Sequence, residues 1–269
     1  MALIFVLGME YFHRRTANGG DLWLTKFGAP LWEHVSPESW YASDWFETRR
    51  ISLGGTSAIY RVPSRPVRNV SMDLVVRFSR VGEEIPLDTG ARCEYWHAEF
   101  NSPFEEFSLV TYIRTARPEL RRRRILTKRP LAIFSPPQRL ELWQTGRRKC
   151  VFAQKQSLHP DVTMDIRRQY VLIYGWIKGM NAVQAAETIG LTGSERESFL
   201  TQVTLEASCD LSQRGTRMLD IKPQHIIVRV RPDGSLLRTR YGRIVYGLVD
   251  YELLERFGSL DTCERKELT

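Results

Sequence analysis

What most constrains this chain is where its strand patterns and its helix patterns fall. Up to Tyr174 it is dominated by short runs rich in β-branched and apolar residues. Beyond the connector Gly175-Trp-Ile-Lys-Gly179, helical patterns take over. Strands and helices segregated along a chain define the α+β class. With 269 residues there is room for two lobes. The expected fold is a two-lobed one, with a five-stranded N-terminal antiparallel sheet carrying one packed helix and a mainly helical C-terminal lobe.

The local signals are specific. Two extended runs, Arg49–Leu53 and Ala58–Val62, flank Gly54-Gly-Thr-Ser57 and predict a β-hairpin. Met72–Phe78 predicts a third strand. Ser102-Pro-Phe-Glu105 is a capping box with proline at the first helical position, and Phe104, Phe107, Val110 and Ile113 then repeat on one helical face. That helix should stop before Pro118. Leu131–Phe134 and Leu140–Trp143 read as strands, a short helix follows Lys149, and Gln169–Tyr174 is a strand. Helices are expected at 181–190 and 194–214, the second opened by the box Ser194-x-x-Glu197. Short strands at Ile226–Val230 and Arg243–Val249 bracket the turn Pro232-Asp-Gly234, and a helix is expected around Tyr251–Phe257. The division that follows is a Trp-rich N-terminal extension (1–46), a first lobe (47–174) with an insertion at 118–169, and a connector with the second lobe (175–269). Trp23, Trp32, Trp40 and Trp45 of the extension are read as rings packed on the main domain.

Composition narrows the classes. The apolar start Met1–Gly8 has no basic lead and ends at Glu10, so it reads as a strand or packed tail rather than a signal peptide. No segment approaches membrane-spanning length, and a soluble, cytoplasmic protein is expected. Cys93, Cys150, Cys209 and Cys263 are scattered with no Cys-x-x-Cys pair, which predicts reduced thiols and no structural zinc. The net charge of +8 favours acidic partners. It is concentrated between Arg114 and Arg129, where eight basic residues meet one acid, and again at Arg147-Arg148-Lys149. The run Arg121–Arg124 reads as a solvated loop, or as a docking surface for an anionic substrate or protein partner. Few aromatics interleave it, which argues against single-stranded nucleic acid.

The segment with most chemistry is Met218-Leu-Asp220-Ile-Lys222-Pro-Gln-His225-Ile-Ile-Val228, followed by Tyr246-Gly-Leu-Val-Asp250-Tyr-Glu252. Phosphoryl transfer uses a carboxylate to orient the attacking hydroxyl, a cation for the transferred group and an acid for the metal. Here the chain resembles the protein-kinase-like superfamily. Asp220-x-Lys222-Pro is similar to its catalytic loop, and Val249-Asp250 to the strand delivering the metal-binding aspartate. Gly54–Val62 resembles the short glycine loop of the aminoglycoside phosphotransferase and choline kinase branch. Glu106–Ile113 resembles its helix with the ion-pair glutamate, and Leu172–Gly179 its hinge.

The resemblance covers about residues 49–257. It implies an ATP-dependent phosphotransferase acting on a hydroxyl acceptor. Gly54, Gly55, Thr56, Ser57 and Arg77 would hold phosphates, Glu106 would pair with Arg77, and the Tyr174-Gly175-Trp176-Ile177 backbone would face the adenine of a nucleotide lying between the lobes. Asp250, with His225, would hold Mg2+ or Mn2+. Asp220 and Lys222 would be catalytic. The chain departs from the pattern at several points. Arg77 stands where lysine is expected, Met218-Leu219 replace histidine and arginine, and His225 replaces asparagine. Tyr251-Glu252 replace phenylalanine and glycine, and Glu252 is a candidate extra oxygen ligand. Imidazole suits transition metals better than magnesium. These departures keep open a catalytically inactive nucleotide-binding pseudokinase or scaffold, and a third reading, a nucleic-acid binder using the basic run.

Overall fold

A computed structural model of the chain describes residues 2–54, 58–86, 95, 98–115 and 125–257. Gly55, Thr56, Ser57 and the run Arg121–Arg124 lie outside the described residues. In chain order, β1 (Ala2–Val6), β2 (Met9–Arg15) and β3 (Asp21–Thr25) precede the short helices α1 (Trp32–Val35), α2 (Pro37–Trp40) and α3 (Ser43–Arg49). Next come β4 (Ile51–Ser52), β5 (Ile59–Pro63), β6 (Asp73–Phe78), the helix α4 (Pro103–Thr115), β7 (Leu126–Thr127) and β8 (Pro130–Ser135). Helices α5 (Leu142–Thr145) and α6 (Lys149–Ser157) then lead to β9 (Val171–Gly175). The rest is β10 (Met180–Asn181), α7 (Ala182–Thr188), α8 (Gly193–Ser212), β11 (Thr216–Met218), β12 (Ile226–Val228), β13 (Tyr246–Leu248) and β14 (Leu254–Arg256). The protein is of the α+β class, with a large antiparallel sheet.

The chain divides into two compact units. The first comprises Met1–Pro86, Glu99–Ser108 and Arg129–Trp176; the second comprises Leu87–Ala98, Leu109–Lys128 and Ile177–Thr269. One boundary therefore falls inside the expected connector, between Trp176 and Ile177.

The first unit is built on an antiparallel sheet of order β1-β2-β3-β8-β9-β6-β5-β4. The expected five strands are its β8-β9-β6-β5-β4 part. The remaining three come from residues 1–46, so that segment is no extension: β3 pairs with β8 from Asp21↔Ser135 to Leu24↔Ala132. Nor is 118–169 an insertion, because β8 lies inside the sheet, bonded on both sides.

Period-2 alternation sorts the side chains of these strands onto two faces. Leu22, Leu24, Leu74, Val76, Ala132, Phe134, Val171 and Ile173 face one core with Val35, Trp40 and Phe46 of the short helices. The Trp40 indole N–H is matched by the Val35 carbonyl at 2.9 Å, so burying the ring strands no donor. Gly28 allows this layer to close, since a Cβ there would lie 2.0 Å from the Leu131 carbonyl oxygen. The opposite face presents Tyr11, Trp23, Arg77 and Tyr174. The start of α4 packs there, with Phe104 against Tyr11 and Trp23 and Phe107 against Tyr174. The capping box forms as expected: Glu105 N–H reaches Ser102 Oγ at 3.2 Å, and Ser102 N–H reaches Glu105 Oε2 at 2.7 Å. Such a cap contributes about 1 kcal/mol.

The second unit holds the sheet β10-β12-β13-β7 and the pair β11-β14. Helices α7 and α8 supply Ala182, Ala185, Ala186, Val203, Ala207 and Leu211 to its core. Asn181 caps α7, accepting the Gln184 N–H at 2.9 Å.

Three local expectations fail. Leu140–Trp143 is not a strand: Gln144 Oε1 accepts the Glu141 N–H at 2.8 Å, and this closure starts α5. The box Ser194-x-x-Glu197 does not form, because α8 begins earlier, at Gly193, with Thr192 at its N-cap. Tyr251–Phe257 is not helical, because Leu254–Arg256 pairs antiparallel with Thr216–Met218.

Candidate functional site

Two polar clusters stand out, one in each unit. In the second unit, β12 and β13 pair with Ile226 opposite Leu248, so the residue entering β12 and those leaving β13 meet at one end. A 3-10 turn, Pro223–His225, sets the entry: His225 N–H donates to the Lys222 carbonyl at 2.9 Å. Val249 N–H donates to the His225 carbonyl at 2.9 Å, which brings Asp250 beside the imidazole. His225 Nε2 lies 3.4 Å from Asp250 Oδ2. Pairing of β11 with β14 adds Asp220 to this end, since Leu219 N–H continues the ladder to the Leu253 carbonyl at 3.0 Å. Lys222 Nζ sits 2.8 Å from Asp220 Oδ2. Tyr251 is fully buried; its hydroxyl donates to the Leu248 carbonyl and accepts the Lys128 N–H at 2.7 Å, anchoring the chain just past Asp250.

Two features of this cluster cost free energy. Asp250 has φ +67°, in the left-handed region where a side chain costs about 1 kcal/mol or more. Its Oδ1 and the Nδ1 of His225 are buried with no hydrogen-bond partner among the described residues. An unmatched buried polar atom of this kind costs about 1–3 kcal/mol. Burial pushes the His225 pKa down from its ordinary value, Asp250 and Asp220 pull it back up, and Lys222 adds to the fall. The sequence-predicted residues Asp220, Lys222, His225 and Asp250 are thus brought together, and Glu252 is buried close by in sequence.

Asp250 Oδ2 and His225 Nε2, facing each other at 3.4 Å, offer one oxygen and one nitrogen donor. A phosphate-bridging divalent ion needs only one or two protein ligands, with waters and phosphates completing the shell, and the facing Asp250 carboxylate and His225 Nε2 would be such ligands. The mixed donor set suits manganese better than magnesium. No group of three or more His, Cys, Asp or Glu side chains is arranged for an all-protein metal cage among the described residues.

In the first unit, Arg77 and Glu106 meet as expected. Arg77 Nη2 donates to Glu106 Oε2, and the Tyr174 hydroxyl donates to Glu106 Oε1. All three side chains are buried. The capping box claims Glu105, which frees Glu106 for this pairing. Tyr174 was expected to offer its backbone to a base; its side chain completes the ion pair. Nothing in its sequence spacing signals this. The contact follows from β9 lying beside β6, which puts alternate residues of both strands on one face. The Gly175 and Trp176 amides are committed to the carbonyls of Arg129 and Asp73, at 2.9 and 3.3 Å. That part of the expected base-binding stretch therefore has its donors occupied. The Trp176 ring is stacked by Arg61 at 4.7 Å, and Ile177 is half-buried. Gly54 is exposed, and a Cβ there would meet open space.

Comparisons with protein-family models and with curated proteins found no match to this chain.

Proposed function

We propose that the chain is an atypical kinase-like protein, an ATP-dependent phosphotransferase that passes the γ-phosphate to a hydroxyl acceptor. The observation that carries this is the convergence of Asp220, Lys222, His225 and Asp250, with Asp250 in a left-handed conformation and carrying an orphaned oxygen. Asp250, with His225, would hold the divalent ion. When bound, that ion neutralises charge on the nucleotide phosphates. Asp220 is half-exposed and accepts the proton of the acceptor hydroxyl while orienting it. Lys222, exposed beside it, offsets charge on the transferred group. The buried Arg77–Glu106–Tyr174 set acts on α4 and the sheet. With its guanidinium committed to Glu106, Arg77 positions these elements rather than contacting phosphate.

A second reading, nucleotide binding without transfer, is favoured by the engagement of Lys222 with Asp220. Calorimetric titration of ATP with and without Mg2+ or Mn2+ separates the two. For the transferase, affinity depends on the metal, and Asp250→Asn weakens it about ten-fold or more. Asp220→Asn leaves affinity intact and lowers ATP turnover by about a hundred-fold or more. Metal-independent binding, indifferent to both substitutions, supports the inactive module. No nucleotide binding under any metal removes both readings.

A further inference from the structure

The first unit contains a polar recess whose lining shares no residue with the Arg77–Glu106–Tyr174 set. It has a volume of about 200 Å³ and is formed by the end of β6, the α5 turn and the residues entering β9. At its wall lies Arg147, from the basic cluster Arg147-Arg148-Lys149. Its neighbours in that cluster are exposed, but Arg147 is only 9% exposed. The left-handed turn at Gly146 (φ +65°) directs the chain there.

Arg147 is a buried charge with no ion-pair partner among the described residues, and Glu83 and Asp165 act on it only from a longer range. Its Nη1 donates to the carbonyls of Ile166 and Arg168 at 2.9 and 2.7 Å, and its Nε is buried with no partner among the described residues. No carboxylate lies within ion-pair distance of it among the described residues. Burial lowers the guanidinium's pKa from its ordinary value, but arginine keeps its proton in proteins. An unpaired buried cation is costly, and an anion would remove much of that cost. The one carboxylate lining the recess, Glu83, is already engaged by Arg80, with Nε 3.1 Å from Oε2. The recess therefore holds an excess positive charge.

The neutral groups around it are unspent donors. Gln144 uses its oxygen on the Glu141 N–H at 2.8 Å, leaving its NH2 group. The Gln169 side chain makes no hydrogen bond among the described residues. The Ser79 hydroxyl accepts the Val81 N–H at 3.3 Å and keeps its own proton to give. Cations, amide N–H groups and a hydroxyl around one small volume match a multiply accepting oxyanion.

We propose that this recess is a phosphate-group site, with Arg147 its principal charge and Gln144, Gln169 and Ser79 its neutral donors. The volume lies below the roughly 300 Å³ at which pockets for larger ligands begin, so it takes inorganic phosphate or a small phosphomonoester rather than a nucleotide.

The test is calorimetric titration of the full chain with inorganic phosphate against chloride at matched ionic strength. Saturable binding is expected, weakened about ten-fold or more by Arg147→Gln. Asp250→Asn should leave phosphate affinity unchanged, and Arg147→Gln should leave ATP affinity unchanged, so this site and the proposed transferase fail separately. If Arg147→Gln does not give the native circular dichroism spectrum, the double variant Gln144→Leu/Gln169→Leu decides in its place, with weaker phosphate binding expected. Titration with glycerol 3-phosphate names the source: tighter binding than phosphate assigns a monoester, and weaker binding assigns the free ion. Phosphate binding no different from chloride, or unchanged in the deciding variant, overturns the proposal.

Discussion

Arg77 with Glu106 in the first unit, and Lys222 with Asp220 in the second, are both oppositely charged pairs, but they sit in different surroundings. The first pair's side chains are 5% and 1% exposed, the second's 47% and 30%. In the enclosed pair, Glu106 also receives the Tyr174 hydroxyl, so each of its oxygens is matched. Desolvation makes such a pair a poor source of net stability, yet breaking it is severe. The exposed pair contributes at most about 1 kcal/mol. Stability therefore gives no reason for an acid and a lysine at the turn after β11. The same holds more strongly for Asp250, whose backbone and orphaned oxygen both cost free energy. One region is satisfied and holds the sheet to its helix; the other is left unsatisfied where chemistry is proposed.

The largest expected effect tests the enclosed pair. Glu106→Gln leaves the Arg77 cation buried without its carboxylate and should lower the unfolding free energy by about 3–5 kcal/mol in denaturant titration. Replacing both partners with apolar residues, as Arg77→Met/Glu106→Leu, should recover most of that loss. If the single variant costs no more than an exposed pair would, the contrast between the two regions collapses.

Much of this contrast could be read from the sequence, and the reasons are local. The apolar neighbours of Arg77 pointed to an acid partner and the Ser102 box claimed Glu105, but the choice of Glu106 rested on the resemblance. The turn carrying Asp220 and the strand ending at Asp250 were legible from their apolar flanks. What stayed hidden depends on distant pairing. Residues 1–46 read as an appendage because nothing near Asp21 announces Ser135 as its partner, and Leu254–Arg256 is a strand only because Thr216–Met218 lies beside it. The left-handed backbone of Asp250 and the burial of Arg147 within an otherwise exposed basic cluster also have no signature in residue type.

A smaller effect, of opposite sign, is expected at Asp250. Asp250→Gly removes the side-chain cost of φ +67° and the orphaned Oδ1 together. It should raise stability by about 1 kcal/mol while abolishing metal-dependent nucleotide binding. Asp250→Asn, which tolerates the same backbone, should lose the binding without the full gain in stability. A destabilised Asp250→Gly variant would mean that the aspartate is structural and that the second cluster resembles the first.

The smallest expected effect compares two buried histidines, one in each unit. His159 is 1% exposed, with Nε2 3.0 Å from the hydroxyl of Ser102, the cap of α4, and Nδ1 without a partner among the described residues. Burial lowers its pKa below the ordinary 6.5; Glu105 opposes that shift and Lys155 assists it. His225 is shifted in the same direction, again chiefly by burial. A histidine depressed in the folded state stabilises fully above its unfolded pKa. As the pH falls below about 6.5 the unfolded chain takes up the proton first, and that stability is progressively lost. Unfolding free energy should therefore decline from pH 7.5 to pH 5. His159→Gln should make the decline shallower by less than one proton's worth, with His225 supplying part of the remainder. The readout is the slope of unfolding free energy against pH, not its value at any one pH, which a simple packing defect would also change. An unchanged slope would show that His159 is as easily protonated in the folded chain as in the unfolded one. The polar junction at the start of α4 would then be wetter than its burial indicates, and the first unit would no longer stand as the fully enclosed member of the comparison.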